Sequence, residues 1–166
     1  MLSNKSLSTM VLLTLAMLNP AKSVFAQIET MHAQMQLAMP GEFHKKTDEI
    51  AEGVTQKQLV FESENGTVIV FHQESDPAAD AQAVLKAAFD AVVKVAGGEV
   101  LSQKQFQNNG IPAHKYRVTM PKHGGEFRVS NFVTKDKFYQ VMAVGTPEFT
   151  ASDAINKMFE SVKFVK

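Results

Sequence analysis

In the stretch NNGIPAHKYRVTMPKHGG, residues 108–125, two of the chain's five histidines stand nine residues apart, beside Tyr116, Arg117, Lys115 and Lys122. An imidazole near neutral pH ligates metals and passes protons, so His114 and His123 are the first candidates for chemistry. Alternation separates them. Pro112, His114, Tyr116, Val118 and Met120 fall on one face of a strand, and Lys115, Arg117 and Thr119 on the other. His123 sits in PKHGG, a turn, where a solvated imidazole is the ordinary case. Nine residues of near-extended chain span about 30 Å, so the two histidines do not share a ligand unless the chain folds back between them.

A lone imidazole on an apolar strand face is ordinarily a hydrogen-bonded core or groove residue. His72, on the face of Val68 and Val70, changes that if its strand neighbours the strand of His114, because the pair then shares a pocket. Two imidazoles still fall short of the three or four ligands of a usual site, and no HxH or HExxH spacing is present. The candidate ligand-binding set is His72, His114, Tyr116 and Arg117, with metal at His72 and His114 only if they meet. Lys115, Arg117, Lys122 and Arg128 make one positive patch if their strands pair. Lys115, Lys122 and Arg128 are its candidate partner-binding residues, suited to an acidic partner or to anionic lipid headgroups. The plain alternative is a solvated sheet face. Met120, Met142 and Met158 either line an adaptable groove or fill the core.

Nothing in the chain spells a nucleophile. There is no GxSxG elbow and no cysteine. Ser130, Ser152 and Ser161 have no spaced acid–base partners. Asp76, Asp80, Asp90, Glu99 and Glu126 are scattered, and Gly97-Gly98 and Gly124-Gly125 do not form a phosphate loop. No catalytic residue and no cofactor is expected.

The N-terminus reads as an address. Lys5 lies in a short polar head, Met10 to Leu18 is an uncharged apolar run, Asn19-Pro20 breaks it, and VFA, residues 24–26, puts small or aliphatic residues at −3 and −1 of a cut. This is the layout of a signal peptide, and the run is shorter than the roughly 20 residues of a membrane span. Residues 1–26 are read as signal, 27–34 as a flexible lead-in and 35–166 as one domain. Removing 26 of the 166 residues leaves 140, enough for a real core. Loss of Lys5 and Lys22 leaves 15 basic against 17 acidic residues, a net charge of about −2. No basic excess supports nucleic-acid binding. An exported chain without cysteine has no disulfides and rests on its core alone. The missing cysteine also excludes a lipoprotein anchor and zinc sites with cysteine ligands. A periplasmic or secreted protein is the simplest reading.

The elements that position these residues follow from period and turn chemistry. MQLAM, residues 35–39, alternates as a half-buried strand does, and Pro40-Gly41 ends it. Residues 43–50 are polar and give no clear signal. Val54 to Glu62 and Thr67 to Gln73 are strands joined by Asn65-Gly66, a hairpin turn that tolerates positive φ. Asp76 and Pro77 open a helix. Its apolar stripe runs through Ala81, Val84, Leu85, Ala88, Phe89, Val92, Val95 and Ala96, with Asp90 and Lys94 paired on the outer face. Gly97-Gly98 closes it. Four strands follow, 99–107, 111–120, 126–134 and 138–145, and their short connections predict an antiparallel meander. Thr150 to Asp153 fits [ST]xx[DE] at the start of a short helix, and residues 163–166 make a last strand or tail. Strands segregated from helices predict an α+β sandwich: six to seven antiparallel strands flanked by one long and one short helix.

Four stretches carry a family likeness: LAMPGEF (37–43), VAGGEVLSQKQFQNNGIPAHKYRV (95–118), KFYQVMAVGT (137–146) and INKMFESVKFV (155–165), the last ending Phe159, Ser161, Phe164. Together they resemble the PsbP-like superfamily, which includes the extrinsic subunit of the plant oxygen-evolving complex, a Ran-binding nuclear transport factor and bacterial exported DcrB-like proteins. The resemblance covers nearly all of residues 35–166 and lies in packing and turn motifs. It implies an accessory or binding role, usually without catalysis, and no ligand residues carry over. The expected function is an exported, non-catalytic module engaging another envelope protein or a small ligand in a groove between sheet and helix. The alternatives are a periplasmic carrier or sensor of a metal ion or apolar ligand, and a cryptic hydrolase. If the N-terminal reading is right, the protein secreted from a bacterial host begins at Gln27 by intact mass; a secreted product retaining Met10 to Leu18 overturns it.

Overall fold

The computed structural model describes residues 28–31, 34–51 and 54–165. Residues 1–26, expected from the sequence to be a signal segment, lie outside them. In chain order the elements are β1 (Ile28–Met31), β2 (Met35–Ala38), β3 (His44–Ala51), β4 (Val54–Ser63), β5 (Gly66–Glu74), α1 (Ala81–Ala96), β6 (Val100–Asn108), β7 (Ile111–Met120), β8 (Gly125–Val133), β9 (Lys137–Gly145), α2 (Pro147–Thr150), α3 (Asp153–Ser161) and β10 (Lys163–Phe164). Seven strands form one antiparallel sheet in the order β3-β4-β5-β9-β8-β7-β6, and β1-β2-β10 form a second, small one. The α+β sandwich predicted from the sequence is the observed architecture, with the small sheet and the one-turn helix α2 added.

Because side chains alternate along a strand, the large sheet has two different faces. One is covered by α1, whose Phe89, Val92, Val93 and Ala96 meet Tyr116, Val118, Val129 and Met142. Nearby, Leu85 meets Val133 and Phe138. The other face is covered by the small sheet and α3. There Met35, Leu37, Ile155 and Met158 pack on Val68, Val70, Ala113, Phe132, Tyr139 and Val141. Ser161 ties α3 to the small sheet: its hydroxyl accepts from the Ala38 amide at 2.7 Å and donates to the Met158 carbonyl at 2.7 Å.

Several local expectations shift by a turn or a neighbour. The stretch taken as a loose lead-in contains β1, paired with β2 from Ile28↔Ala38 to Met31↔Met35. The polar residues after Phe43 form β3, an edge strand paired with β4. His44 to Thr47 are exposed on both faces of this strand, so it carries no apolar alternation to announce it. Helix α1 begins one turn later than Asp76 suggests. Asp80 is the cap, accepting from the amides of Gln82 and Ala83 at 3.3 and 3.2 Å, and Asp76 instead holds the preceding turn through the Ala78 amide. Asp90 pairs with Lys86, not Lys94. Val95 is exposed and Val93 takes its place in the stripe. The cap of α3 is Ser152, which accepts from the Ile155 amide, while the Thr150 hydroxyl turns inward to Glu126.

The two Asn-Gly turns differ. Asn109 and Gly110, with φ of 52° and 83°, carry the positive pair that a tight two-residue hairpin requires. At the β4–β5 hairpin the two turn residues are Glu64 and Asn65, and Gly66 already pairs with Ser63 as the first residue of β5. Neither Asn65 nor Gly66 has positive φ. Gly66 is needed for room. A Cβ there would lie 2.3 Å from the Phe149 ring and 2.5 Å from the Val144 carbonyl oxygen. The ring can yield but the carbonyl is fixed by the sheet. Gly66→Ala is therefore expected to destabilise the fold by about 1–3 kcal/mol, the usual cost of overpacking, in urea denaturation. A loss within a few tenths of a kcal/mol would show that steric room is not its role.

Candidate functional site

The hairpin turn at Asn109-Gly110 fixes the register of β6 against β7 and so builds the site. Counting outward from Asn108↔Ile111, Lys104 falls opposite Lys115 and Ser102 opposite Arg117, before the register shifts at Leu101. On the other side of β7, Arg117 faces Arg128 and Lys115 faces Ser130. These residues all lie on the face away from α1. The result is two adjacent rows, Ser102–Arg117–Arg128 and Lys104–Lys115–Ser130, each holding two cations directly opposite one another. Like charges so placed repel and weaken a sheet.

This grid floors a cleft of about 610 Å³ whose far wall is α3, with Asn156, Phe159 and Glu160. Phe106 and Phe132 continue the floor as an apolar shelf. A hydrogen bond of 3.0 Å from Asn108 Nδ2 to the Val162 carbonyl fastens the β6–β7 hairpin to the end of α3. The small sheet does not extend over this corner, which is why the face stays open beside α3.

Two cations are fixed in place. Arg117 donates through Nε and Nη2 to Glu126 at 3.1, 2.7 and 2.9 Å, and the Glu126 side chain is 3% exposed. Thr150 donates to the same carboxylate from the other side. Arg128 stacks on the Phe159 ring, 4.6 Å from its centroid, and donates through Nη1 to the Thr150 carbonyl at 2.9 Å and to Asn156 Oδ1 at 2.6 Å. Burial and then the facing Arg117 pull the Arg128 guanidinium down from its usual value, against the opposing fields of Glu126 and Glu160. The other two are exposed ammonium heads on apolar stems. Lys115 is exposed and its ammonium lies 5.5 Å from the Phe106 centroid, and Lys104 is exposed on the edge strand.

The sequence-predicted residues divide between places. Lys115, Arg117 and Arg128 stand side by side on one face of the sheet. Lys122 does not join them; it is exposed in the β7–β8 turn and lines no part of the cleft. His72 does share a face with Val68 and Val70, but that is the face away from α1, where its ring lies 5.9 Å from that of Tyr139. His114 lies on the α1 face. Two strands, β9 and β8, also separate β5 from β7, a lateral distance of about 14 Å. The pocket conditional on their meeting therefore does not form, and among the described residues no group of three or more His, Asp and Glu can hold a metal.

Tyr116, also on the α1 face, is a core residue. Its hydroxyl accepts from Asn131 Nδ2 at 3.0 Å, and Asn131 Oδ1 accepts from Gln140 Nε2 at 2.9 Å. Burial raises its phenol well above the ordinary range. Tyr139, donating to Gln34 at 3.0 Å, is pushed up to about 12 by burial, helped by Asp136 and Glu74. His114 is 3% exposed and tilted against both Phe89 and Tyr116, with ring centroids 5.0 and 5.2 Å away. A second groove, of about 690 Å³ between α1 and β6, has His114 in its wall. Its charges, Asp80, Lys86 and Asp90, largely cancel, and Lys86 is already tied to Asp90 at 2.5 Å. Volume alone does not make it the better site.

Lys104, Phe106, Ser130, Asn156 and Phe159 were not picked from the sequence. Lys104 was within reach: the two-residue turn at Asn109-Gly110 already dictates which residue faces Lys115. Asn156 and Phe159 were not, because the docking of α3 against this corner is a tertiary event.

No protein-family model matches the chain, and no curated protein matches it in sequence. The fold is that of the PsbP-like α+β sandwiches. Cyanobacterial PsbP (CyanoP) from Synechocystis sp. PCC 6803 superposes with a TM-score of 0.60 at 14% identity, over 91% of this chain and 99% of that one.

Burial lowers the pKa of His114, and a hydrogen bond to the Leu85 backbone opposes the shift. The unfolded imidazole titrates near 6.5, so just below that pH the unfolded chain holds more protons than the folded one. Stability then falls as pH drops below about 6.5 towards the folded pKa, and is fully present above it. The slope of urea stability between pH 7 and pH 5 is expected to shrink in His114→Gln. An unchanged slope would show that His114 does not carry it.

Proposed function

We propose that the protein is an exported, non-catalytic binding module that takes a small ligand in the cleft between β6–β8 and α3. The observation that carries this is the cleft itself: about 610 Å³, within the range of small-molecule sites, with convergent polar groups beside an aromatic shelf. Binding fits better than turnover. Among the described residues, the cleft hydroxyls of Ser102 and Ser130 have no imidazole or carboxylate partner, and the buried imidazole of His114 is on the far side of the sheet. The signal-like N-terminus supports export, and the PsbP-like fold supports an accessory role. A concave site with its cations at the bottom suits a small ligand better than the broad face of an envelope protein.

Amide chemical-shift mapping of the folded protein against a library of neutral and charged fragments tests this. Hits are expected to converge on Phe106, Lys115, Ser130 and Phe159. Hits confined to the α1–β6 groove around Phe89, or no hits at the cleft, overturn the assignment.

A further inference from the structure

The geometry points to an amphiphilic anion as the ligand: a carboxylate or phosphate head over the cation grid, with an apolar body on the phenylalanine shelf. This rests on the cleft being the binding site, and it adds the chemistry of what binds there. The cleft holds Lys104, Lys115, Arg117 and Arg128 against two carboxylates, Glu126 and Glu160. Two positive charges are thus left over, in a chain whose formal net charge is zero.

Their placement is costly in the empty protein. Lys104↔Lys115 and Arg117↔Arg128 are both direct cross-strand partners, and like charges in that position oppose each other. Packing explains neither lysine, since both heads are exposed. An anion between the rows turns both repulsions into attractions. The hydrogen-bonding supply matches such a head. Glu126 occupies Nε and Nη2 of Arg117, and Thr150 and Asn156 occupy Nη1 of Arg128. Among the described residues no acceptor meets Arg117 Nη1 or Arg128 Nη2. These rigidly held guanidinium edges, with the Ser130 hydroxyl and two swinging ammonium groups, offer the charge-assisted donors that carboxylate and phosphate oxygens accept best.

The apolar half is as specific. Phe106 and Phe132 meet edge to face, their centroids 6.1 Å apart, and Phe159 stands across from them on α3 under Arg128. Three rings next to four cations describe a head with an apolar body, rather than inorganic phosphate alone. A soluble aryl or alkyl anion and a membrane lipid share that chemistry.

The test titrates the folded protein with decanoate and phenyl phosphate, with decanol and benzyl alcohol as neutral analogues, and measures sedimentation with phosphatidylglycerol and phosphatidylcholine vesicles. The soluble anions are expected to shift the Lys115, Ser130 and Phe159 amides and to bind at least tenfold more tightly than their neutral analogues. The double variant Lys104→Gln/Lys115→Gln is expected to lose at least tenfold in affinity while melting at or above the parental temperature, because it removes a repulsion. Neutral analogues that bind the cleft equally well overturn the anion and leave the cleft reading standing. No shift at the cleft with any probe overturns both. Sedimentation with phosphatidylglycerol vesicles without binding of soluble anions overturns the cleft pose in favour of a charged membrane-facing surface. A double variant that binds less and also melts lower makes the lysines structural and overturns their role in recognition.

Discussion

The sheet depends on one long-range pairing. β5 and β9 are antiparallel along their whole length, from Gly66↔Gly145 to Glu74↔Lys137. This single ladder joins the β3-β4-β5 block to the β6-to-β9 meander, two units that are otherwise separate in sequence. Both ends of the ladder are secured. At one end Gly66 and Gly145 lie close enough for Phe149 to cover them, and the Thr146 amide donates to the Asn65 carbonyl at 2.9 Å. At the other, Lys137, with a side chain 5% exposed, reaches Glu74 at 2.6 Å. Loops that close over such distances form late and at an entropic cost, so the ladder must be strong once made.

Everything on either face follows from that ladder. Counting antiparallel steps from β5 through β9, β8 and β7 to β6 leaves β5 and β6 pointing the same way. α1 must therefore cross back over the sheet to start β6 at the opposite edge. Its apolar stripe covers the side of β7 and β8 that carries His114 and Tyr116. The face left open receives α2, α3 and the small sheet, and these cover it incompletely. The cleft is the uncovered corner, between the far edge strand β6 and the last helix.

The cleft also shows where stability is set aside. The buried row His114, Asn131 and Gln140 on the α1 face is polar yet internally bonded from Gln140 to Asn131 and on to Tyr116. That arrangement satisfies Asn131, Gln140 and Tyr116, while His114 Nδ1 is buried without a hydrogen-bond partner. On the opposite face, Arg117 is tied to Glu126 and Arg128 to Thr150 and Asn156, while among the described residues Lys104 and Lys115 have no carboxylate partner. The hydrogen-bonded polar row on one side and the four cations around a cavity on the other are the contrast on which the proposed binding site rests.

The sequence alone determined what depends on neighbours along the chain. It determined the strand lengths of the meander, the apolar stripe of α1, the Gly97 cap and the α+β class; positive φ, expected at Asn65-Gly66, is found instead at Asn109-Gly110. These rest on period and turn chemistry that act within a few residues. Lys115, Arg117 and Arg128 were legible as one patch for the same reason, because consecutive hairpins pair consecutive strands. Only the tertiary structure decided the fate of the histidines. The order β5-β9-β8-β7 depends on which distant strand closes on β5, and that order, with the pleat, set His72 and His114 on opposite faces. The polar edge strand β3 was illegible because both of its faces are exposed from His44 to Thr47, and the shelf of Phe106, Phe132 and Phe159 because it needs α3 to dock. Local rules specify the pieces; burial of the large apolar faces, a property of the whole chain, chooses how they meet.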